Sequence, residues 1–251
     1  MDKDPSIEYP FEYHELRPEV TEEIKGYFNR DILTNFIRLG SAGYFFYKEF
    51  AGTALDVYHL PLRPSDIFVL SYPRSGTTWT QELVWLLQNE LDFNRATAVP
   101  LRIRFPFLES EGFSKMKFPP KRLEFQEKMT CIGIDSIKQL PSPRYIKSHM
   151  PLSLLPPSLL ETSKVVYVAR DPRDVAFSNY HQLKFNQFIP EHGEFKEFWS
   201  FFIQSKVRWT PYFDHLKEAW RQRNHPNMIF IFYEELQKVN PVDGANTSTP
   251  R

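Results

Sequence analysis

An apolar strand candidate in this chain leads directly into a polar turn. The run Ile67-Phe68-Val69-Leu70 is followed by Ser-Tyr-Pro-Arg-Ser-Gly-Thr-Thr-Trp at residues 71–79. Pro73 ends the strand because proline cannot donate a ladder hydrogen bond, and a helical pattern begins after Gly76. The sequence therefore predicts a strand, a tight loop and a helix in succession.

The polar turn is suited to holding an anion. A helix that begins there leaves backbone N–H groups without intrahelical partners, and these groups point at a ligand in front of the helix. The hydroxyl groups of Ser75, Thr77 and Thr78 add donors, and Arg74 adds positive charge. Gly76 lies between them. The loop is not a Walker A motif, because its cation precedes the glycine and no lysine follows it. A P-loop nucleotide kinase is therefore a less favoured alternative.

Four short segments rich in β-branched and aromatic residues predict strands. They are Ile67–Tyr72, Arg144–His149, Lys164–Arg170 and Met228–Tyr233. Helical patterns cover Thr21–Leu39, Trp79–Gln88, a segment opened by Asp171 and Pro172, and Phe195–Arg221 with a break expected before Pro211. Apolar strands that alternate with helices predict an α/β fold with a central parallel sheet and helices on both faces.

Polar side chains close each predicted strand at its carboxyl end. Lys147 and His149 close the second strand, Arg170 ends the third and Tyr233 ends the fourth. In open parallel sheets, ligands bind outside the carboxyl ends of the strands. Arg170 could bind a phosphate there through two hydrogen bonds. Ser178, on the helix that follows, lies on about the same face as Arg170. The sequence thus predicts one polar site at this edge.

His149 is a candidate general base within that site. Lys147 and His149 are two residues apart on a strand, so their side chains project from the same face. The pKa of an unperturbed histidine is near neutrality, as general base catalysis requires. A structural role is expected for the other histidines, among them His181, His192 and His215. No group of Cys and His has zinc-ligand spacing, so no metal is expected.

The bulk composition argues against several classes of partner. Lys and Arg total 31 and Asp and Glu total 31, so no general field favours nucleic acid or an anionic membrane. The single cysteine, Cys131, allows no intrachain disulfide and is expected to be a buried or incidental thiol. The polar start differs from a secretory signal, and the apolar runs are too short to span a bilayer. We expect a cytoplasmic protein with no nucleic-acid and no membrane partner.

Three regions are expected along the chain. Residues 1–55 contain a helix and the aromatic cluster Tyr44–Tyr47, and they are expected to pack on a main domain at 56–239. Residues 100–125 alternate Arg and Lys with Phe and Pro, which is typical of a loop or lid over a site. Residues 240–251 contain nothing that could bury itself and are predicted to be a disordered tail.

Taken together, these motifs resemble the cytosolic sulfotransferases, of the arthropod-like small-molecule type. The family pattern Tyr-Pro-Lys-Ser-Gly-Thr-Thr-Trp corresponds to Tyr72–Trp79, and Lys-Thr/Ser-His-Leu/Met-Pro corresponds to Lys147–Pro151. The pattern Arg-Asn/Asp-x-Lys/Arg-Asp-x-x-x-Ser corresponds to Arg170–Ser178, and Tyr-Glu-Asp/Glu to Tyr233–Glu235. The motifs occur in the family's order over about residues 56–238, which makes the match specific.

The resemblance implies transfer of a sulfuryl group from 3′-phosphoadenosine 5′-phosphosulfate (PAPS), without a metal. The acceptor would be a hydroxyl or amine of a small apolar molecule, such as a phenol or a steroid-like alcohol. A P-loop-like phosphosulfate-binding loop at Arg74–Trp79 would hold the 5′ end of PAPS, with Trp79 against the adenine. The Phe- and Pro-rich segments Phe105–Pro120 and Phe185–Phe202 would form the acceptor cavity.

The resemblance also implies roles for the remaining site residues. Arg170 and Ser178 would hold the 3′-phosphate, and Tyr233 would contact the nucleotide. His149 would deprotonate the acceptor. Lys147 and Arg74 would stabilise charge on the transferred group and on the leaving phosphate, so that the catalytic set is His149, Lys147, Arg74 and Ser178.

Two departures from the family pattern bear on activity. Arg74 stands where the family usually has lysine; arginine stabilises charge but cannot donate a proton to the leaving group. The family's further C-terminal helices, its Arg-Lys-Gly…Gly-Asp-Trp-Lys segment that clamps the 3′-phosphate, and its short dimer motif are not found after Lys238. The alternative expectation is therefore a C-terminally truncated, non-catalytic sulfotransferase-like protein.

Overall fold

A parallel four-stranded sheet lies at the centre of the molecule. The computed structural model describes residues 11–28, 35–114 and 132–238. The sheet strands are β4 (Ile67–Leu70), β5 (Tyr145–Ser148), β6 (Lys164–Ala169) and β7 (Met228–Phe232). Their order is β5-β4-β6-β7, and every neighbouring pair is parallel. All four predicted strands are confirmed, each one or two residues shorter than predicted.

A smaller antiparallel sheet precedes the parallel one. Its strands are β1 (Tyr13–Glu15), β2 (Phe36–Leu39) and β3 (Tyr44–Tyr47). The helices are α1 (Pro18–Tyr27), α2 (Phe50–Tyr58), α3 (Thr77–Gln88), α4 (Phe93–Ala98), α5 (Leu101–Arg104), α6 (Ser110–Ser114), α7 (Ile134–Gln139), α8 (Leu159–Thr162), α9 (Pro172–Phe185), α10 (Phe195–Ile203), α11 (Tyr212–Arg221) and α12 (Tyr233–Lys238), with a 3₁₀ turn at Leu152–Leu154. None of the helices in the described ranges is long and apolar enough to cross a bilayer.

Both faces of the parallel sheet are covered. Side chains alternate along β4, so Phe68 and Leu70 enter the main core, whereas Ile67 and Val69 pack with Trp85 of α3 in a second apolar cluster. All four β4 side chains are buried as a result. This burial confirms the predicted α/β fold with a central parallel sheet and helices on both faces.

The predicted helix Thr21–Leu39 is wrong in its second half. The helix ends at Tyr27, and Phe36–Leu39 forms strand β2, which pairs with Tyr44–Tyr47 in an antiparallel hairpin. Gly40 and Gly43 turn the chain between the strands with φ of 73° and 65°. Only glycine adopts that backbone region without a steric penalty, so the two glycines were the signal for a hairpin.

The other predicted helices are confirmed with adjusted bounds. Asp171 caps α9, since its side chain accepts a hydrogen bond from the Arg173 N–H at 2.8 Å, and Pro172 occupies the first turn. The long pattern Phe195–Arg221 is two helices, and Pro211 precedes the second one. The break expected before Pro211 therefore exists.

Some expectations fall partly outside the described residues. The region 100–125 contains helices α5 and α6 up to residue 114, and its remainder lies outside the described ranges, as do Cys131 and the predicted tail 240–251. Side chains of residues 36–57 belong to the same buried core as those of the parallel sheet. The division at residues 55 and 239 stays a prediction.

Candidate active site at the sheet edge

The carboxyl ends of the parallel strands meet at one edge of the sheet. Leu70 at the end of β4 lies opposite Ser148 of β5 and Tyr167 of β6, and Ala169 of β6 lies opposite Phe232 of β7. His149, Arg170 and Tyr233 directly follow Ser148, Ala169 and Phe232 along the chain, and Lys147 is the residue before Ser148. The topology therefore brings them to the same edge.

The loop after β4 is a tight turn that exposes donors. Arg74 and Gly76 both adopt positive φ, 71° and 96°. A Cβ atom at position 76 would lie 2.3 Å from Cδ2 of Tyr233, so glycine is needed for both its conformation and its closeness to that ring. The Oγ atom of Ser75 is buried and has no hydrogen-bond partner among the described residues. Buried polar groups normally have partners, so this atom is suited to a ligand oxygen.

The remaining loop residues lie at the start of α3. Thr77 is buried, and its Oγ1 is 2.6 Å from Oγ of Ser71, whereas Thr78 is exposed on the first turn. The Trp79 side chain is 46% exposed. Its ring meets that of Tyr233 edge to face, with centroids 6.0 Å apart. The two rings form an aromatic wall beside the loop that is suited to a flat ligand.

Two arginines and a serine form a second cluster of donors. Arg74 donates from Nε to Oγ of Ser178 at 3.0 Å, and Arg170 donates from a guanidinium nitrogen to the carbonyl oxygen of Arg74 at 3.1 Å. The Arg170 guanidinium also lies 4.4 Å from the ring centroid of Tyr233 and 3.6 Å from a carboxylate oxygen of Asp174. Its Nε is buried without a hydrogen-bond partner in the described part of the chain.

The two arginines repel each other. Burial, and then the positive charge of Arg170, lower the pKa of Arg74 from its usual value. An anion bound between them would offset this repulsion, because its opposite charge attracts both guanidinium groups.

His149 is a buried, neutral imidazole of defined tautomer. Its Nδ1 lies 2.8 Å from the carbonyl oxygen of Ser71 and 3.4 Å from the hydroxyl of the same residue. A carbonyl oxygen only accepts hydrogen bonds, so Nδ1 carries the hydrogen and Nε2 carries the lone pair. Burial, and then the charge of Lys147, hold the pKa of His149 well below its usual value. The ring therefore stays neutral and able to accept a proton at Nε2 at neutral pH.

Aromatic rings surround the imidazole and the neighbouring lysine. The centroids of the Phe107 and Trp209 rings lie 5.3 Å and 5.5 Å from that of His149. The ammonium group of Lys147 lies 4.6 Å from the centroid of the same Phe107 ring. Lys147 and His149 thus share one aromatic neighbour, and the structure places them together beside an apolar surface.

Two residues at this edge were not found from the sequence as parts of the site. Glu109 accepts hydrogen bonds from the His149 N–H at 2.6 Å and the Ser148 hydroxyl at 2.8 Å. His215, for which a structural role was expected, donates from Nε2 to the carbonyl oxygen of His149 at 2.9 Å while its Nδ1 accepts from Tyr167. Both act through tertiary contacts, so no local sequence pattern could have indicated them.

Two of the other histidines, His181 and His192, have neighbours different from those of His149. His181 is exposed on α9 and contacts the ring of Phe177, and His192 lines a cleft with Tyr27 and Phe201. Within the described ranges, no group of three or more His, Cys, Asp or Glu residues is arranged to hold a metal ion.

Known proteins resemble the chain over most of its length. The sulfotransferase domain profile matches residues 64–242. Human sulfotransferase 1C2 is 32% identical over 201 residues, which cover 76% of this chain and 63% of that protein. Luciferin sulfotransferase of Photinus pyralis is 37% identical over 191 residues, which cover 73% of this chain and 50% of that protein.

Solved structures show the same fold. One is retinol dehydratase in complex with androsterone and the inactive cofactor PAP, which is adenosine 3′,5′-bisphosphate. It superimposes on this chain with a TM-score of 0.82 and is 37% identical to it. The match covers 93% of this chain and 72% of that one. A structure of retinol dehydratase with retinol and PAP matches equally well, with a TM-score of 0.82. The chain spans about half to two thirds of the length of the curated relatives it matches. By the extent of the domain match and the identity to these relatives, the chain belongs to the sulfotransferase family.

Proposed function

We propose that this chain transfers a sulfuryl group from PAPS to a hydroxyl or amine of a small apolar acceptor. One observation carries the proposal. Hydrogen-bond donors suited to two anions lie at the same edge of the sheet as a buried, neutral imidazole. Membership of the sulfotransferase family and the PAP present in the neighbouring structures of retinol dehydratase support the same assignment.

The loop at the start of α3 would hold the 5′-phosphosulfate. Its N–H groups and the buried hydroxyl of Ser75 are donors, and Arg74 and Lys147 provide positive charge. An unpaired buried donor costs about 1–3 kcal/mol, and a sulfate or phosphate oxygen in contact with Ser75 would offset that cost. The adenine would lie against Trp79 and Tyr233.

Arg170 and Ser178 would hold the 3′-phosphate. The Nε of Arg170 is buried and has no partner in the described residues, so it is available to a phosphate oxygen. Ser178 accepts a hydrogen bond from Arg74, which leaves its own hydroxyl hydrogen free to be donated. Arg74 lies between the two sets of donors, because its backbone belongs to the loop and its Nε contacts Ser178. The two sets match a nucleotide with anions at both its 3′ and 5′ positions.

His149 would act as the general base in the transfer. Nε2 takes the proton from the acceptor hydroxyl as the acceptor oxygen bonds to sulfur and the bond from sulfur to the 5′-phosphate oxygen breaks. Arg74 and Lys147 stabilise the negative charge that develops on the sulfuryl group and the leaving phosphate. Neither has to donate a proton, because the leaving phosphate remains ionised near neutral pH. Arginine at position 74 is therefore compatible with turnover.

The acceptor would lie against the aromatic side chains around His149. Phe107 and Trp209 contact the imidazole, so an acceptor hydroxyl near Nε2 would have an apolar body beside these rings. Phenols and steroid-like alcohols fit this description. We further infer a cytoplasmic location from the single cysteine, which allows no intrachain disulfide.

A ligand titration separates this function from its alternatives. Adenosine 3′,5′-bisphosphate (PAP) and ATP with Mg²⁺ would each be titrated against the protein, and the shift in Tm measured. We expect PAP to raise Tm and ATP with Mg²⁺ to have little effect. Stabilisation by ATP only when Mg²⁺ is present would contradict the proposal and favour a kinase. No response to either ligand would favour a non-catalytic protein.

A further inference from the structure

A buried carboxylate holds the backbone of the proposed general base. The side chain of Glu109 is completely buried, and its Oε1 accepts two hydrogen bonds, from the N–H of His149 and the hydroxyl of Ser148. The Ser148 hydroxyl oxygen in turn accepts from the N–H of Met150 at 3.0 Å. Glu109 thus fixes the chain at three consecutive residues around the imidazole.

The rest of His149 is held from other directions. His215 donates to its carbonyl oxygen at 2.9 Å, and the carbonyl oxygen of Ser71 accepts from its Nδ1 at 2.8 Å. With the contact from Glu109, the backbone N–H, the backbone carbonyl and the ring each have a defined partner. The direction in which Nε2 points therefore depends on all three contacts.

We propose that Glu109 is the positioning residue of His149, whose ionised carboxylate keeps the imidazole in the orientation needed for proton transfer. This inference rests on the proposed sulfotransferase function. Hydrogen bonds to a carboxylate are about twice as strong as those to a neutral group. Protonation of Glu109 would therefore weaken its hydrogen bonds to Ser148 and His149.

Of Glu109 and His149, it is Glu109 that changes charge near neutral pH. Burial raises the pKa of Glu109 to about 7, although the Ser148 and His149 hydrogen bonds and the charge of Lys147 act in the opposite direction. His149 has its pKa held well below the usual value, by burial and then by Lys147, with smaller effects of His215 and Arg208. Below about pH 7 the carboxyl therefore gains a proton while His149 stays neutral.

The proton that Glu109 gains at low pH can bind to its second carboxyl oxygen, Oε2. Oε2 of Glu109 is buried and has no hydrogen-bond partner in the described ranges, whereas Oε1 is occupied by two donors. The sign of the pH effect follows: productive positioning is present above the pKa of Glu109 and lost as pH falls through about 7.

The first test follows the His149 ring itself and needs no turnover. The ¹⁵N NMR signals of the imidazole would be measured against pH and assigned with His149→Gln. We expect an inflection near pH 7 that reports the titration of Glu109 and disappears in Glu109→Gln. An inflection that persists in Glu109→Gln, or its absence from the wild-type protein, would overturn the proposal.

A second carboxylate provides the control. Glu82 on α3 accepts two hydrogen bonds from the guanidinium of Arg104, at 2.8 Å and 2.9 Å. Its partner is not one of the residues that hold His149, so Glu82→Gln should leave the His149 titration unchanged. If Glu109→Gln does not fold, Ser148→Ala serves instead, because loss of its donor raises the pKa of Glu109 and should move the inflection to higher pH. An unmoved inflection would contradict the proposal.

Turnover gives a second, separable readout. In the wild-type protein kcat should fall as pH decreases through about 7, whereas in Glu109→Gln kcat should be lower by about tenfold and level between pH 6 and 8. PAP binding should be the same in both. A protein that shows the NMR inflection but no sulfuryl transfer would contradict the proposed function and not the contact between Glu109 and His149.

Discussion

Some side chains at the sheet edge form a hydrogen bond within the protein through one atom and leave a second atom able to bind a ligand. The ring of His149 uses Nδ1 on Ser71 and keeps the Nε2 lone pair. Ser178 accepts from Arg74 and keeps its hydroxyl hydrogen. Such residues are held in place before a ligand arrives, so less conformational entropy is lost on binding.

Gly76→Ala is predicted to disrupt the anion loop. A methyl group at this position would lie 2.3 Å from the Tyr233 ring, and φ of 96° is unfavourable for alanine. We expect a loss of about 1–3 kcal/mol in the free energy of unfolding, and no rise of Tm on addition of PAP. Gly52→Ala is the control: nothing lies within 4 Å of its Cβ position on α2, so stability should rise slightly. Equal effects of the two substitutions would contradict this prediction.

Arg170→Ala is predicted to weaken recognition of the 3′-phosphate specifically. Loss of a charged hydrogen bond of about 1.5–3 kcal/mol should raise the Kd for PAP about 10- to 100-fold. Adenosine 5′-monophosphate lacks the 3′-phosphate, so its Kd should change little. Calorimetric titration of both nucleotides checks this. Arg173→Ala is the matched control, because Arg173 is exposed and pairs with Asp171; a similar loss there would count against the assignment.

At the scale of elements, the start of the sheet is fixed by a buried ion pair. The guanidinium of Arg144, just before β5, donates to both carboxylate oxygens of Asp66, just before β4, at 2.8 Å and 2.5 Å. Asp66 also accepts from the N–H of Arg63. The pair aligns the amino ends of β4 and β5, so their carboxyl ends meet in the register that places His149 beside the loop.

Asp66→Ala is predicted to destabilise the fold strongly. The substitution would leave the buried guanidinium of Arg144 without its carboxylate, which typically costs about 3–5 kcal/mol. Asp135→Ala, which removes an exposed pair with Lys138, should cost less than about 1 kcal/mol. Urea unfolding of both variants measures the difference. Similar losses would show that the buried pair does not hold the two strands together.

Elements with strong local signals could be predicted from the sequence, and those that depend on pairing could not. The strand at Ile67 and the helix after Asp171 are indicated by apolar content, a cap and a proline, all within a few residues. The sequence predicts a helix where strand β2 lies, since the strand's conformation is decided by its partner β3 and the glycine turn between them. Tertiary pairing overrides local propensity in such segments.

At the scale of the whole molecule, the parallel topology turns four separated motifs into one site. Since the strands run in the same direction, residues after Leu70, Ser148, Ala169 and Phe232 reach the same edge, and this could be predicted from the sequence alone. The supports of His149 could not. Glu109 and His215 reach it from segments 40 and 66 residues away in sequence, where no periodic pattern marks them.

We propose that this edge performs sulfuryl transfer with His149 as the base. The most direct measurement is the rate of transfer from PAPS to a phenol, compared between the wild-type protein, His149→Gln and the exposed control His181→Gln. We predict that His149→Gln lowers kcat about 10²- to 10⁴-fold with the Kd for PAP unchanged, while His181→Gln has the wild-type rate. No transfer by the wild-type protein, or equal rates in all three, would contradict the account.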